Sequence, residues 1–412
     1  MPEKLRHGEP INVLLFNDVG FQYGAGIALR RQAASFLLNG WNVRIAAWRP
    51  GNDTEKPLVT GVPDFDHWEG VVPLSKVTSR KHDDLNAVAA ITGQLAEWKP
   101  DVIIAGNLHG TGLPLEILAS LRGTGALLLA YMHDVFWATG RCAYPGACTM
   151  FQTGCKPTCP TPDEYPTLEP ARIPAAWALR NKLFTGPNSI PMIANSQWTQ
   201  EIVRKRYGSA ARCEIVHLGL DHHLYAPISK PEARSLLGLP QKIPVIVMGA
   251  VDVNDQRKGG PLFRGVQQTL ANRQDVGLIL FGQWSERLRS TKSFGLVQDA
   301  RFMPIILSAA DILVNTAVEE AFGQTLLEAA ACGLPAVTFN VGGVSDIVVH
   351  EQTGLLVDDL AVEPMLAALE SLIEDPSKRA AFGQRARARV EDQFTLTRQA
   401  RAWVDCIRGV LC

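Results

Sequence analysis

The strongest constraint on the fold is an alternation of short apolar runs with longer amphipathic stretches along the first half of the chain. The apolar runs have the length of buried parallel strands, and they cover residues 11–17, 43–48, 101–105, 127–132 and 192–195. Between the first two runs, residues 27–39 carry apolar side chains at helical spacing, and Gly40 follows where a helix end is expected. This alternation predicts an open α/β sheet.

The same alternation starts again after residues 218–230. Apolar runs recur at residues 244–249, 277–281, 311–315 and 336–339, with helices predicted over 260–272 and 320–332. A chain of 412 residues is long enough for two domains. We therefore predict two doubly wound, Rossmann-like domains, residues 1–225 and 226–395. A last helix within 396–412 is a candidate to pack back on the N-terminal domain. Ligands are expected at the carboxyl ends of the strands and in the cleft between the domains.

The composition is that of a globular enzyme. The formal net charge of −1 provides no overall field that would attract the chain to nucleic acid. Residues 1–10 are polar and charged and lack the apolar core of a signal peptide. No apolar stretch reaches the roughly 18 to 20 residues of a membrane-spanning helix. We predict a cytoplasmic protein and leave open a peripheral association with the inner face of the membrane.

Two loops carry glycines or cations where a phosphate group could bind. Gly24 and Gly26 precede the first predicted helix, where backbone amides and the helix dipole attract anions. A plain turn explains two glycines equally well. Arg257 and Lys258 precede two further glycines at another predicted helix start, and together they could clamp a diphosphate. Solvated surface charge is the alternative for this pair.

The segment from Glu320 to Glu328 is the most informative part of the sequence. Gly323 places Glu320 in a loop and the start of the helix near residues 322–324, so the amides after Glu320 are predicted to face a phosphate. Glu328 lies among leucines and alanines, where a buried carboxylate needs a partner such as a sugar or ribose hydroxyl. A surface glutamate on an alanine-rich helix is the alternative. The donor-binding residues predicted here are Ala321, Phe322, Gly323, Gln324 and Glu328.

Two histidines follow predicted strands of the first domain. His133 comes directly after the run 127–132, and His109 follows the run 101–105. A histidine at such a position can contact a sugar hydroxyl or donate to a developing charge. A structural histidine with satisfied hydrogen bonds is the alternative, and His109 is the weaker candidate of the two.

Four of the eight cysteines cluster in a glycine- and proline-rich loop over residues 141–160. They are Cys142, Cys148, Cys155 and Cys159. Four thiolates in so short a loop can hold one tetrahedral zinc ion, in a structural role because four protein ligands leave no open coordination position. The spacing does not form two close pairs, so two disulfides or free thiols remain alternatives.

Together these residues resemble the glycosyltransferase family 4 enzymes of GT-B fold over nearly the whole chain. The cysteine-rich loop after His133 is further similar to that of bacterial exopolysaccharide transferases, such as colanic-acid biosynthesis enzymes. The residues that carry the resemblance are, in order, Gly24 and Gly26, His133, Arg257 to Gly259, Glu320 to Glu328, Gly342 to Asp346, and Thr353 to Val357.

The resemblance implies a retaining hexosyltransferase-type reaction. A sugar would pass from a UDP- or GDP-linked nucleotide-diphospho-sugar to a hydroxyl acceptor, a saccharide or lipid-linked saccharide in polysaccharide or glycoconjugate biosynthesis. No metal ion would be needed for catalysis. The same resemblance implies that Lys258 contacts the diphosphate and Glu328 the ribose, with His133 and Glu320 at the reacting centre.

One position departs from the family pattern. Many members have an arginine directly after the glycine that ends the first strand of the second domain, and here Ala250 stands at that place. Arg257 is a candidate to supply the missing charge.

Other functions are compatible with parts of this pattern. A sugar-nucleotide epimerase or a glycan phosphorylase could use the same two-domain architecture. A zinc-stapled binding module would rest on the cysteines alone. An NAD-dependent dehydrogenase is disfavoured because the full glycine fingerprint of dinucleotide-binding folds is absent.

Overall fold

The computed structural model describes residues 4, 8–62, 66–77, 85–161, 165–284 and 288–411. The chain forms two compact units. The first contains residues 1–219 together with 396–412, and the second contains residues 220–395.

The first unit is built on a parallel sheet of seven strands in the order β3-β2-β1-β4-β5-β6-β7. Its strands are β1 (Asn12–Val19), β2 (Asn42–Arg49), β3 (Trp68–Pro73), β4 (Val102–Ala105), β5 (Leu127–Met132), β6 (Met192–Ala194) and β7 (Cys213–Ile215). The central strands are almost wholly buried because their apolar side chains face helices on both sides of the sheet.

Seven helices belong to the described part of this unit. They are α1 (Tyr23–Leu38), α2 (Leu85–Ala96), α3 (Glu116–Arg122), α4 (Met150–Thr153), α5 (Ile173–Phe184), α6 (Gln197–Tyr207) and, at the far end of the sequence, α13 (Leu396–Leu411). Short 3-10 turns lie at Leu74–Lys76, Phe136–Ala138 and Pro170–Arg172. The last helix packs on the first, where the rings of Phe36 and Trp403 lie 5.2 Å apart and Asn39 donates to the carbonyl of Ala400.

The second unit has a parallel sheet of six strands in the order β10-β9-β8-β11-β12-β13. The strands are β8 (Val245–Asp252), β9 (Gly277–Gln283), β10 (Lys292–Ser293), β11 (Ile312–Asn315), β12 (Ala336–Phe339) and β13 (Gly354–Val357). The helices are α7 (Lys230–Leu237), α8 (Gly260–Ala271), α9 (Met303–Ala309), α10 (Gln324–Ala331), α11 (Val362–Ile373) and α12 (Pro376–Gln393), with 3-10 turns at Gln256–Lys258 and Gly342–Asp346.

The prediction of two doubly wound parallel sheets is confirmed. One helix start differs from its sequence-based bound, and another agrees with the start predicted near residues 322–324. The first helix begins at Tyr23, earlier than predicted, so Gly24 and Gly26 lie inside its first turn. The other begins at Gln324 because Gly323 adopts a left-handed conformation with φ of 101°, and Glu320 therefore lies in a loop, as predicted.

Two strands of the first unit were not predicted from the sequence. Trp68–Pro73 is the edge strand of the sheet and is partly exposed, so it lacks a continuous apolar run. Cys213–Ile215 is short and contains an exposed glutamate. In the part of the chain that the structure describes, no helix is both long and apolar enough to cross a membrane.

Candidate functional site

The carboxyl ends of three neighbouring strands in the first unit bring five polar side chains together. Asn17 and Asp18 lie near the end of β1, His109 lies in the loop after β4, and His133 and Asp134 directly follow β5. Because parallel strands end at one edge of a sheet, residues far apart in sequence meet there. This edge includes both histidines that the sequence singled out.

His109 is held at both ring nitrogens. Its Nε2 lies 3.0 Å from Asp134 Oδ2, while its Nδ1 lies 2.8 Å from Tyr165 Oη and 3.6 Å from Asp18 Oδ2. The other oxygen of Asp134 accepts a hydrogen bond from the backbone amide of Phe136, which fixes the carboxylate. The imidazole is therefore placed between two carboxylates.

The charges of this cluster are coupled. Burial lowers the pKa of His109, but Asp134 and Asp18 outweigh that effect and leave the pKa above its ordinary value. Burial also raises the pKa of Asp18, and the opposing effects of His109 and the Gly110 amide do not fully cancel it. The cationic form of His109 is thus stabilised by its neighbours.

His133 presents an unpaired ring nitrogen. Among the described residues neither its Nε2 nor Asn17 Oδ1 has a hydrogen-bond partner, although both atoms are buried. A Cβ at Gly106 would lie 2.6 Å from Asn17 Oδ1 and 3.1 Å from His133 Nε2, so the two atoms lie on either side of a position kept open by a glycine. Burial lowers the pKa of His133 to about 4, and the nearby Asp134 opposes this only in part. A neutral imidazole can donate a hydrogen bond to a hydroxyl group or accept one from it, and it adds no charge to the site.

Gly24 and Gly26 have different surroundings within the first turn of α1. A Cβ at Gly26 would lie 2.1 Å from the carbonyl oxygen of Gly20, so this glycine is required by close packing of the backbone. Gly24 is partly exposed in the same turn. The structure thus gives Gly26 a packing role, and a ligand-binding role for either glycine stays a prediction.

In the second unit, the predicted donor-binding residues Lys258 and Glu320 form an ion pair. Lys258 Nζ lies 2.5 Å from Glu320 Oε2, and the two side chains are 30% and 14% exposed. Burial raises the pKa of Glu320, but Lys258 and the backbone amide of Phe322 outweigh it, so the pKa lies below its ordinary value. The carboxylate is therefore charged and held at the start of α10.

Three loops fix the position of this ion pair. Thr316 Oγ1 donates to the carbonyl oxygen of Lys258, and the Gly343 amide donates to the carbonyl oxygen of Glu320. A Cβ at Gly259 would lie 2.0 Å from the Thr316 carbonyl oxygen, and a Cβ at Gly342 would lie 1.9 Å from that of Glu320. Glycines at both positions allow the loops after β8, β11 and β12 to approach one another at the carboxyl edge of the second sheet.

Arg257 and Glu328 occupy different environments. Arg257 pairs with Asp255, and its side chain is 39% exposed. Glu328 is buried on α10, at 7% exposure, which excludes the alternative of a solvated surface glutamate. The predicted residues Ala321 and Phe322 are buried in the segment between Glu320 and the helix start.

The four clustered cysteines line one small pocket in the first unit. Their thiols are free in the structure, and no disulfide links them. Burial, more than the neighbouring thiols, raises the pKa of Cys142 to about 11. Within the described ranges, no three His, Cys, Asp or Glu side chains are arranged to hold a metal ion. The side-chain positions do not provide a ready-made zinc site, and the zinc ion stays a prediction.

Sequence reasoning did not single out Asn17, Asp18 or Tyr165. Asn17 and Asp18 ended an apolar run without a motif, and Tyr165 lies far along the chain from the strands that it approaches. Two adjacent polar residues at the end of a buried strand were the available signal, because such a strand end faces the ligand edge of an open α/β sheet.

Comparisons with known proteins agree with this architecture. Residues 270–389 match the family model described as glycosyl transferases group 1. Sucrose-phosphate synthase from Thermosynechococcus elongatus has a similar structure, with a TM-score of 0.71 over 97% of this chain and 99% of that one, at 19% sequence identity.

Two curated relatives are similar in sequence. D-inositol 3-phosphate glycosyltransferase from Rhodococcus jostii (strain RHA1) is 27% identical over 221 residues, which are 49% of this chain and 48% of the relative. The GDP-mannose-dependent monoacylated alpha-(1-6)-phosphatidylinositol monomannoside mannosyltransferase from Corynebacterium glutamicum is 31% identical over 222 residues, 48% of this chain and 57% of the relative. The alignments thus span about half the length of these relatives.

The two Rossmann-like sheets and the structural likeness confirm the predicted GT-B fold, and the match of residues 270–389 to the group 1 glycosyl transferase model supports the predicted enzyme class. The part of the chain that carries the group 1 glycosyl transferase pattern is residues 270–389, which includes Glu320 and Glu328. The relatives named above act on inositol phosphate or on an acylated phosphatidylinositol mannoside, so the narrower resemblance to exopolysaccharide enzymes stays a prediction.

Proposed function

We propose that this protein is a retaining glycosyltransferase that moves a sugar from a nucleotide-diphospho-sugar to a hydroxyl acceptor. The observation that carries the proposal is the Lys258–Glu320 ion pair at the start of α10, fixed by glycines of two neighbouring loops. A cation, a carboxylate and helix-terminal amides at the carboxyl edge of a doubly wound sheet form a site suited to a phosphorylated sugar.

The second unit is the proposed donor site. When the donor binds, Lys258 would contact the diphosphate and interact less strongly with Glu320. Arg257 would add a second cation. The amides around Gly323 and Gln324 would face a phosphate oxygen at the positive end of the helix dipole. The buried carboxylate of Glu328 would accept hydrogen bonds from the ribose hydroxyls. Both UDP- and GDP-linked sugars are compatible with these contacts, since none of them reads the base.

Catalysis would depend on stabilising the departing nucleotide diphosphate. As the bond between sugar and phosphate breaks, negative charge grows on the leaving oxygen and positive charge grows on the sugar ring. Lys258 and the helix-terminal amides stabilise the first charge, and the Glu320 carboxylate stabilises the second. The acceptor hydroxyl attacks from the same face, and its proton passes to the leaving phosphate. No carboxylate is then required as a covalent nucleophile.

The first unit is the proposed acceptor side of the reaction. Burial lowers the pKa of His133 to about 4, and its Nε2 has no hydrogen-bond partner in the described part of the chain, so the imidazole can hydrogen-bond a hydroxyl of the reacting sugar or of the acceptor. A saccharide or a lipid-linked saccharide remains our proposed acceptor class. The lipid acceptor in the name of the Corynebacterium relative supports a peripheral association with the membrane.

A structural zinc ion in the cysteine loop remains part of the proposal. It is supported by the four thiols that line one cavity, a donor set that suits zinc. Binding would require the sulfurs to approach one another more closely than they do in the structure. Metal analysis of protein purified without chelator tests this directly. One zinc ion per chain that is lost in C148S supports it, and metal-free protein whose four thiols all react with a thiol reagent contradicts it.

Nucleotide release tests the proposed reaction. UDP-glucose and GDP-mannose are each incubated with the protein and a panel of saccharide and lipid-linked saccharide acceptors. We expect nucleotide diphosphate to be released together with a new glycoside, in an acceptor-dependent manner. Conversion of the donor sugar without acceptor would instead indicate an epimerase, and a requirement for inorganic phosphate would indicate a phosphorylase. The variant E320Q should lose transfer, whereas E351Q, at an exposed surface pair, should retain it.

A further inference from the structure

Asp18, His109 and Asp134 form a cluster of ionisable side chains in the first unit, and the proposed donor site does not involve them. We propose that Asp18 and His109 bind an uncharged, hydroxyl-bearing part of the acceptor, with Asp18 accepting a hydrogen bond from an acceptor hydroxyl and His109 positioning that carboxylate. The inference rests on the proposed function, because it assigns a role to the acceptor side of the same reaction.

The two carboxylate oxygens of Asp18 have different surroundings. Asp18 Oδ2 accepts a hydrogen bond from the Gly110 amide and faces His109, but Oδ1 is buried and has no hydrogen-bond partner among the residues described. The whole residue is 3% exposed. An unpaired buried carboxylate oxygen is costly, and a ligand hydroxyl that donates to it removes that cost.

Two further polar atoms lie at the same edge of the sheet as Asp18. Asn17 Oδ1 and His133 Nε2 are also buried, and neither has a hydrogen-bond partner among the described residues. Three such atoms at the ends of β1 and β5, the strands on either side of β4, are unusual in a folded protein, where buried polar atoms are nearly always hydrogen-bonded. Two are acceptors, and an imidazole Nε2 can donate or accept, which matches the paired donor and acceptor character of hydroxyl groups.

The charged groups of the cluster are mostly acidic. Asp18 and Asp134 lie on either side of His109, so two carboxylates outnumber one imidazole even when that imidazole is charged, and the excess of negative charge disfavours a phosphate group at this position. Arg180 is the nearby cation, but it is buried and donates to the carbonyl oxygens of Phe136 and Gly140. The cluster therefore suits a neutral polyol better than the phosphorylated one named for the Rhodococcus relative.

His109 acts through Asp18 and is a positioning residue. Its Nε2 is fixed by Asp134 and its Nδ1 faces Tyr165 and Asp18, so the charged ring balances two carboxylates that would otherwise repel each other. Asp134 and Asp18 favour its charged form, while burial, Arg180 and the neighbouring His133 favour the neutral one. When His109 loses its proton, its positive charge no longer offsets the charges of Asp18 and Asp134. The two carboxylates then repel each other, which weakens the placement of the Asp18 carboxylate that binds the hydroxyl.

The test uses matched pairs of acceptors that differ by a phosphate. Transfer from UDP-glucose or GDP-mannose is measured with myo-inositol and its 3-phosphate, and with methyl α-mannoside and its 6-phosphate. We expect the neutral member to be preferred. In D18N its KM should rise by about 10- to 100-fold, since a hydrogen bond to a charged group is lost. The donor KM should change much less than the acceptor KM.

A pH profile separates the positioning role from simple loss of structure. With wild-type protein, the acceptor KM should rise as the pH increases through the pKa of His109, and H109Q should lack this dependence. E69Q, at an exposed pair with Arg44 in the same unit, is the matched control and should behave as wild type. Should D18N fail to fold, G110A displaces the same carboxylate without removing it, because its Cβ would lie 2.6 Å from Asp18 Oδ2.

The outcomes distinguish the two proposals. If no donor is consumed with any acceptor, the proposed function fails and this inference falls with it. If transfer occurs but the phosphorylated members are preferred, or D18N and G110A leave the acceptor KM unchanged, the inference alone is wrong.

Discussion

Replacing Lys258 with methionine removes the cation beside Glu320 and keeps a side chain of similar length. The ion pair is short, at 2.5 Å, and its side chains are 30% and 14% exposed. A hydrogen bond to a charged group contributes about 1.5–3 kcal/mol, and breaking a fully buried ion pair costs about 3–5 kcal/mol. Lys258 is partly exposed, so we expect the free energy of unfolding at pH 7 to fall by about 2 kcal/mol.

This destabilisation should shrink as the pH falls. In the wild-type protein, burial raises the pKa of Glu320 but Lys258 outweighs it, so the pKa is below its ordinary value of 4.5. The stabilisation is therefore present above that value and is lost as the pH falls through the folded-state pKa. In K258M the lowering effect of Lys258 is lost, so the pKa of Glu320 rises and the carboxylate takes up a proton at a higher pH than in the wild-type protein. Urea unfolding at pH 7 and near pH 4.5 should show the larger difference between the two proteins at pH 7.

The same variant tests donor binding. Isothermal titration with UDP-glucose and GDP-mannose should show that K258M raises the Kd of the preferred donor by about 10- to 100-fold, because a charged contact to the diphosphate is lost. K378M removes the lysine of the more exposed Lys378–Glu351 pair in the same unit and should cost at most about 1 kcal/mol, with unchanged donor affinity. The reasoning is refuted if K258M binds both donors as wild type does, or if K378M weakens binding equally.

Three further predictions concern residues near the two sites. Gly342→Ala places a Cβ 1.9 Å from the Glu320 carbonyl oxygen at a φ of 56°, so it should lower both stability and donor affinity. The control Gly61→Ala, with a φ of 76° and open space around it, should lower stability only. Equal effects of the two variants on the donor Kd would contradict the loop arrangement. Glu328→Gln should weaken binding of a ribonucleotide sugar more than of its 2′-deoxy analogue in titration calorimetry, and an equal loss for both would argue against a ribose contact. Because burial raises the pKa of Cys142 to about 11, iodoacetamide should label Cys142 slowly at pH 7 and faster as the pH rises. Labelling of Cys142 as fast as that of the more exposed Cys148 would contradict the burial of Cys142.

The architecture was predictable from the sequence because parallel strands buried on both faces are continuous apolar runs. Leu127–Met132 and Ala336–Phe339 have the predicted bounds in the structure. The partly exposed strand Trp68–Pro73 has no such run, since the edge of a sheet does not need one.

The candidate sites were predictable where a local backbone signal existed. Gly323 correctly separated Glu320 from the helix that follows it. The pairing of Lys258 with Glu320 was not predictable, because it depends on Gly259 and Gly342, which allow the backbones of separate loops to approach one another. Asp18 and Tyr165 were missed because no short motif marks them. The order of the strands brings Asp18 close to His109, and a long loop brings Tyr165 there.

The stereochemistry of transfer tests the central claim most directly. The protein is incubated with UDP-glucose or GDP-mannose, both α-linked donors, and the acceptor that supports nucleotide release. Proton NMR of the first product then gives the configuration of the new glycosidic bond. A retaining glycosyltransferase should release the nucleotide diphosphate and form an α-glycoside. An inverted β-glycoside, or consumption of the donor with no glycosidic bond formed, would contradict the account.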